Sequence, residues 1–380
     1  MQSLKPILYS VKIYIKVIRV FLWINFFLWV SVSTLSAKLQ QDDLGDIKKK
    51  LGIGINISLF EHYWTSPQVL LKEDISQKIK NISNAGFKTV RLPIAFDSFT
   101  ESNSFNLQPQ IIDKIKDIYV QCTAQNLNLI LTYHYGKLND SNIYSQIERI
   151  SWIWKQVQRR FTGQGYSTLF FELYNEPVMN GNLWKTTITE IIQNLRYEDP
   201  NRIYIVGATN YNSLDDLMAM GKLPDNKILY TFHFYEPFIF THQGADWTDN
   251  KTYVQDLPYP YRRNKMPNPY AANAPKRSSS AYEDLTQYPF IATNEFIAYR
   301  LKTIASFCSK NNMPLICTET GVIKLADDKS RKRYLEDVIF DMHDLRIPTV
   351  LWDYDDKFSI KKNETEIEKY LHKWLMRFRN

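Results

Sequence analysis

From Gly52 onward, apolar runs of strand length alternate with segments of helical period, and this alternation restricts the fold more than any other feature. The strand-like runs are Gly52–Leu59, Thr89–Ile94, Asn128–His134, Leu169–Asn175, Ile203–Ala208, Ile228–Tyr235, Pro314–Glu319 and Thr349–Tyr354. Helix-period segments lie between them at Ile75–Ala85, Gln110–Gln125, Tyr144–Phe161, Leu183–Leu195, Thr293–Lys310 and Arg331–Leu345, and Glu366–Met376 closes the chain. Continuously apolar strands separated by helices belong to a parallel sheet covered on both faces. Eight such units predict an α/β fold, a (β/α)8 TIM barrel. A doubly wound open sheet would want a Gly-rich phosphate turn after its first strand, and Ser58-Leu59-Phe60-Glu61 offers none.

One long insertion interrupts the pattern after strand 6, from about Glu236 to Ala292. It holds Trp247, Tyr253, Tyr259, Tyr261 and Tyr270 among Pro258, Pro260, Pro267 and Pro269. A loop of that length is functional or disordered, and its aromatic content argues against disorder. Because it follows a strand, it belongs to the face where barrel enzymes carry their sites.

Two strands end in a glutamate: Leu173-Tyr174-Asn175-Glu176-Pro177 and Ile316-Cys317-Thr318-Glu319-Thr320-Gly321. Burying an unpaired charge is costly, so such carboxylates have a reason to be there. Two of them at the lips of different strands are expected to meet across one cleft, the minimum equipment for hydrolysing a glycosidic bond. Other strands deliver polar or aromatic groups at the same end: Arg91, His134, His233 with Tyr235, and Trp352. Glu172, sharing parity with Glu176, is expected one layer deeper in the barrel, paired with a cation. Asp353, Asp355 and Asp356 are expected at the surface or on sugar hydroxyls. His242 and Trp247 are candidates for the leaving-group side of the cleft.

The formal net charge is +7, but Lys5, Lys12, Lys16 and Arg19 crowd an N-terminal stretch that has no acid. Without residues 1–37 the charge falls to +3, so no nucleic-acid partner is indicated. A basic leader, the apolar run 20–30 and the small residues of 31–37 follow the layout of a signal peptide. The run is shorter than the roughly 18–20 residues of a spanning helix. The expected organisation is a leader over 1–37, cleaved or retained as an anchor, and one catalytic domain over 38–380. Export to the secreted or periplasmic space follows, with a membrane contact only if the leader stays. Cys122, Cys308 and Cys317 have no zinc-ligand spacing and read as small buried hydrophobes, so no metal is expected. Cys317, two residues before Glu319, is expected on the same side of its strand. Monomer is the default state.

Taken in order, Arg91, His134, Asn175-Glu176-Pro177, His233-x-Tyr235, Glu319 and Trp352 resemble glycoside hydrolase family 5, the family of many cellulases. The likeness runs from about Gly52 to the C-terminus. The Asn-Glu-Pro and distal Glu are shared by a wider clan of barrel glycosidases, and the Arg, His-x-Tyr and Trp narrow it to the family. The segment 235–247 is similar to one found in bacterial endoglucanase-like members.

The resemblance implies that Glu176 is the general acid/base and Glu319 the nucleophile of a retaining, double-displacement reaction. Arg91 beside Glu319 would favour its ionised form and Tyr235 would donate to it. Glu176 would feel the charge of Glu319 and keep its proton. Asn175 would bind the sugar 2-OH, with Trp352, His134 and His233 against the ring. The implied substrate is a β-linked glucan, cleaved as by an endo-β-1,4-glucanase; mannan, xyloglucan or a β-1,3-glucan stay open, as does a barrel that only binds carbohydrate. No cofactor is required by this chemistry.

Overall fold

The computed structural model describes residues 44–101, 104–248, 254–267, 280–363 and 367–378. The leader expected over 1–37 lies outside them, as do Tyr253, Pro269 and Tyr270 of the insertion. Among the described residues no helix is long and apolar enough to cross a membrane. Residues 44–47, the described part of a first compact unit, are helical, and the second unit, from Lys48, holds the barrel.

Eight parallel strands close on themselves in sequence order: β1 (Ile53–Asn56), β2 (Thr89–Ile94), β3 (Asn128–Tyr133), β4 (Leu169–Glu172), β5 (Tyr204–Val206), β6 (Ile228–Phe234), β7 (Leu315–Thr320) and β8 (Thr349–Leu351). A barrel helix follows each: α1 (Ser76–Ala85), α2 (Pro109–Ala124), α3 (Ile143–Arg160), α4 (Gly181–Arg196), α5 (Leu214–Met220), α6 (Asn294–Lys310), α7 (Asp328–Asp344) and α8 (Lys369–Arg377). The expected TIM barrel is therefore the observed fold.

The chain starts its helices by local chemistry. Asn180, Ser213, Thr293 and Asp327 cap α4, α5, α6 and α7 with a side-chain oxygen accepting from a backbone N–H of the first turn. Pro109 opens α2, where its missing N–H is no loss. Alternation along the strands then divides two cores. Val90 and Leu92, Leu129 and Leu131, and Leu169 and Phe171 share one buried cluster with Ile79, Ile115, Trp154, Ile188, Ile304 and Val338 of the helices. The intervening residues, Arg91, Thr132 and Glu172 among them, are buried as well and fill the barrel interior.

Three departures from the sequence reading have physical causes. The strands stop sooner than expected: β4 ends at Glu172 and β8 at Leu351, so Asn175, Glu176 and Trp352 stand on the loops just beyond. Helix α5 escapes a periodicity search because seven residues give only Leu214, Leu217 and Met220 as its buried positions. The insertion also contains helices, at Phe238–Thr241 and Ser280–Ile291. Its segment around Tyr259 packs on α7, where Tyr259 N–H donates to Ser330 Oγ at 2.9 Å and Tyr259 Oη to Asp337 Oδ2 at 3.0 Å.

Strand β7 corrects the expectation for Cys317. Its register slips between Cys317 and Thr320, so side-chain parity does not carry from Cys317 to Glu319. Thr318 Oγ1 donates to Glu172 at 3.3 Å, and the next residue, Glu319, reaches Arg91. Two successive side chains thus meet the polar barrel interior, while Cys317 belongs to the apolar cluster.

Candidate active site

The polar interior is organised by Arg91, which is fully buried on β2. A guanidinium offers five N–H donors in a fixed plane, and all five are used. Nε and Nη2 donate to the two oxygens of Glu172 at 2.7 and 2.8 Å, and Nη2 also to Asn175 Oδ1 at 2.7 Å. Nη1 donates to Glu319 Oε1 and Asn56 Oδ1, both at 2.8 Å. Glu172 is the interior carboxylate expected to need a cation, and the bidentate contact supplies one. Asn56 was missed by the sequence reading. Its amide donates to Thr318 O at 3.1 Å and Leu351 O at 3.0 Å, linking β1 to β7 and to β8 where the barrel closes. The available signal was a lone polar residue ending the run Ile53-Gly54-Ile55.

Glu319 is bound from two sides, since Tyr235 Oη donates to its Oε2 at 3.0 Å. Glu176 stands opposite in a left-handed backbone conformation, φ 48°, which a non-glycine residue adopts at a cost. His233 Nδ1 lies 2.6 Å from Glu176 Oε1 and 3.5 Å from Glu319 Oε2. Ligand-type atoms of Glu176, His233 and Glu319 all fall within 4.8 Å of one another. Three such groups could hold a cation, but the Arg91 guanidinium already lies 2.8 Å from Glu319 and would repel one.

The electrostatics separate the two glutamates by a route other than the one expected. Burial is the main cause that pushes Glu176 up to about 7, with Glu172 adding to it and Arg91 opposing. Its side chain still keeps 28% of its surface open to the cleft. Glu319 is also raised, because burial outweighs the downward pull of His233 and Arg91, with Glu176 and Glu172 pushing further up. Arg91 therefore does not fix the ionisation of Glu319 alone. Hydrogen bonding still distinguishes the pair: Glu319 receives a cationic and a phenolic donor, which favour the carboxylate. Burial drives His233 down to about 4 and His134 well below the ordinary range, so both rings are neutral at working pH.

The other expected residues gather around this pair. Asn175 turns Oδ1 to Arg91, which leaves Nδ2 3.4 Å from His134 Nε2. His134 stacks on Trp352, ring centres 5.9 Å apart and planes 25° apart. Trp247 is half exposed and connects to the site through His242, whose ring lies 6.4 Å from Trp247 and 4.9 Å from Tyr235. Asp353 departs from expectation: it is fully buried and accepts from Asp356 N–H at 2.7 Å. Asn212, also unanticipated, is buried with Nδ2 3.1 Å from His233 Nε2. The arrangement as a whole, a closed parallel barrel with two carboxyl groups facing each other at the strand ends, defines a (β/α)8 glycoside hydrolase.

Comparison with known proteins agrees. Residues 49–358 match the model of cellulase, glycosyl hydrolase family 5, and the chain belongs to that family. It is 30% identical to Endoglucanase C of Acetivibrio thermocellus over 310 residues, 77% of this chain and 88% of the relative. It is 29% identical to Endoglucanase 3 of Fibrobacter succinogenes over 313 residues, 76% of this chain but only 47% of that protein. Among solved structures, endoglucanase Cel5A of Thermotoga maritima superposes with a TM-score of 0.72 at 22% identity, covering 87% of this chain and 99% of its own.

Proposed function

We propose that this chain is a retaining endo-β-1,4-glucanase in which Glu176 is the acid/base and Glu319 the nucleophile. The observation that carries the reading is the approach of the two carboxyl groups, with oxygens within 4.8 Å. Retaining enzymes hold their carboxyl groups about 5–5.5 Å apart, whereas inverting ones leave room for a water at roughly 6.5–9.5 Å. In the first step the Glu319 carboxylate attacks the anomeric carbon as the glycosidic C–O bond breaks. The Glu176 proton passes to the departing oxygen. The ester that forms neutralises Glu319, and Glu176, now ionised, takes a proton from water. That water's oxygen bonds to the anomeric carbon and Glu319 leaves as carboxylate.

Glucan as the substrate is supported by the name of Endoglucanase C, which this chain nearly spans. Endo action is supported by aromatic surface on both sides of the glutamates. On one side Tyr63, Trp64 and Tyr135 form an exposed group of rings that meets His134 through Tyr135. On the other side stand Phe238 and Trp247, each in contact with His242. Rings of this kind offer apolar planes to sugar faces over several residues of a polymer. The leader of residues 1–37 supports export.

The test is reducing-sugar release by residues 38–380 on soluble β-1,4-glucan, mixed-linkage glucan, mannan and xylan, with Glu319→Gln as control. Release from the glucans that the control lacks is expected. Activity confined to mannan or xylan would keep the chemistry and overturn the substrate, and equal activity in the control would overturn the site.

A further inference from the structure

Asn212 has several costly features, and none of them is explained by packing. Asn210, Tyr211 and Asn212 are three successive residues in the left-handed region, φ 54°, 60° and 55°. Asparagine tolerates that conformation, but tyrosine does not, and Tyr211 is 59% exposed, so no burial of its ring compensates. What the turn achieves is to bury Asn212 completely behind His233. Its Oδ1 has no hydrogen-bond partner among the described residues. Gly207 makes the room: a Cβ there would lie 2.1 Å from Asn212 Oδ1.

The polar contact that remains is the one from Asn212 Nδ2 to His233 Nε2, 3.1 Å. An amide nitrogen donates and does not accept, so Nε2 is the acceptor of the neutral ring and the single ring proton sits on Nδ1. Nδ1–H then points at Glu176 Oε1, 2.6 Å away. Glu319 Oε2, at 3.5 Å, lies beyond a good hydrogen bond and has Tyr235 instead. With Oε1 occupied as an acceptor, the proton of a protonated Glu176 belongs on Oε2.

We infer that Asn212 is a positioning residue for the acid step: it fixes the tautomer of His233, and His233 in turn leaves the Glu176 proton on the oxygen that it does not touch. The inference rests on Glu176 being the acid/base. The same tautomer serves both steps, since Nδ1–H donates to Oε1 whether Glu176 is a carboxylic acid or a carboxylate. No proton has to move within the ring during turnover.

Asn212→Asp is the discriminating substitution. It replaces the donor with an acceptor of the same shape, moves the ring proton to Nε2 and leaves Nδ1 as an acceptor. The Glu176 proton is then drawn to Oε1, away from the leaving group. On soluble β-1,4-glucan, whose leaving oxygen needs protonation, kcat/KM is expected to fall on the order of 10²-fold, the low end of what general acid catalysis supplies. On 2,4-dinitrophenyl β-cellobioside, whose leaving group departs without a proton, the fall is expected to stay under about threefold, a split that general acid catalysis alone explains. Asn212→Ser, too small to clash, should show the same selectivity at lower amplitude if the aspartate variant does not fold. Glu176→Ala is the reference and should show the selectivity in full. Equal losses on both substrates in Glu176→Ala would overturn the acid assignment and this inference with it. A selective Glu176→Ala beside Asn212 variants that lose equally on both substrates, or on neither, would overturn the role of Asn212 alone.

Discussion

Arg91 carries more of this site than either glutamate, because every one of its N–H groups is committed to a partner. Two fix Glu172, one fixes Glu319, one orients Asn175 and one holds Asn56. Lysine offers a point charge and no planar fork, so it can satisfy at most part of this set. Arg91→Lys is expected to lose most activity and to destabilise the fold by roughly 3–5 kcal/mol, the usual effect of leaving a buried ion pair incomplete. Thermal unfolding beside glucan hydrolysis checks both, and a variant of unchanged stability would show that Glu172 does not depend on the fork. The pH profile of kcat/KM tests the glutamates themselves. As the proposed acid, Glu176 must be protonated in the free enzyme, and with its pKa pushed up to about 7 the alkaline limb should fall about tenfold per pH unit above that value. As the proposed nucleophile, Glu319 must be ionised, and since it too is raised, the acid limb should begin above the ordinary glutamate range. A profile flat to pH 9 would remove Glu176 as the acid.

At the scale of elements, the site depends on how strands end. The strands are legible in the sequence because their apolar runs are continuous, and most residues of the candidate site are legible because they fall at or just beyond the C-terminal ends of those runs. Asn212 is not legible, since a turn of three left-handed residues leaves no periodic trace and nothing local marks its contact with His233 across 21 residues. Cys317 is misread because a bulge is one irregular residue in an otherwise regular strand. Asp353 looked like one of a solvated run with Asp355 and Asp356, and only tertiary packing buries it. Gly321 shows how tightly two strand ends approach. A Cβ there would stand 2.1 Å from the Trp352 carbonyl, a backbone atom that cannot rotate aside. Gly321→Ala is therefore expected to displace the loop carrying Trp352 and break its stacking on His134. KM for glucan should rise several-fold more than kcat falls, measurable by steady-state kinetics. A kinetically silent alanine would mean that the loop yields without moving the tryptophan.

At the scale of the whole molecule, the barrel holds carboxyl groups that prefer to be neutral. Glu61 is a buried residue of the loop after β1, where Ser58 Oγ and the Leu59 N–H donate to it, yet burial still raises it to about 7. Asp353 is raised to about 7 by burial too, with Asp356 and Asp355 adding like charge. Its Oδ2 has no partner among the described residues. These groups, with Glu176, have folded pKa values above their unfolded ones, so the folded protein keeps protons that the unfolded chain has lost. The contribution of these groups to stability is then at its fullest below about pH 4, declines as pH rises through the window up to about 7, and levels off above it. Each fully buried group shifted this far contributes on the order of 3 kcal/mol to the decline. Other carboxylates pull the opposite way: Asp225, lowered by Arg196 and the Lys227 N–H despite its burial, and Asp327, a helix cap lowered by Ser330, are lost only on strong acidification. The window of those two carboxylates lies below that of the raised groups, but buried His233 and His242, lowered to about 4 and about 3, and His134, lowered well below the ordinary range, add stability as pH rises toward 6.5 and so oppose the raised carboxyl groups within the same window. The slope of wild-type stability against pH is the balance of these two sets, so the part of one carboxyl group is read from a variant that lacks it. Asp353→Asn removes one ionisation and keeps an oxygen for the Asp356 N–H, so it should gain stability relative to the wild type as pH rises from 5 to 8 and be the more stable form at pH 8. Unfolding midpoints of both proteins across pH 4–9 decide it. A constant offset between the two midpoints across that range would mean that Asp353 ionises freely in the folded barrel.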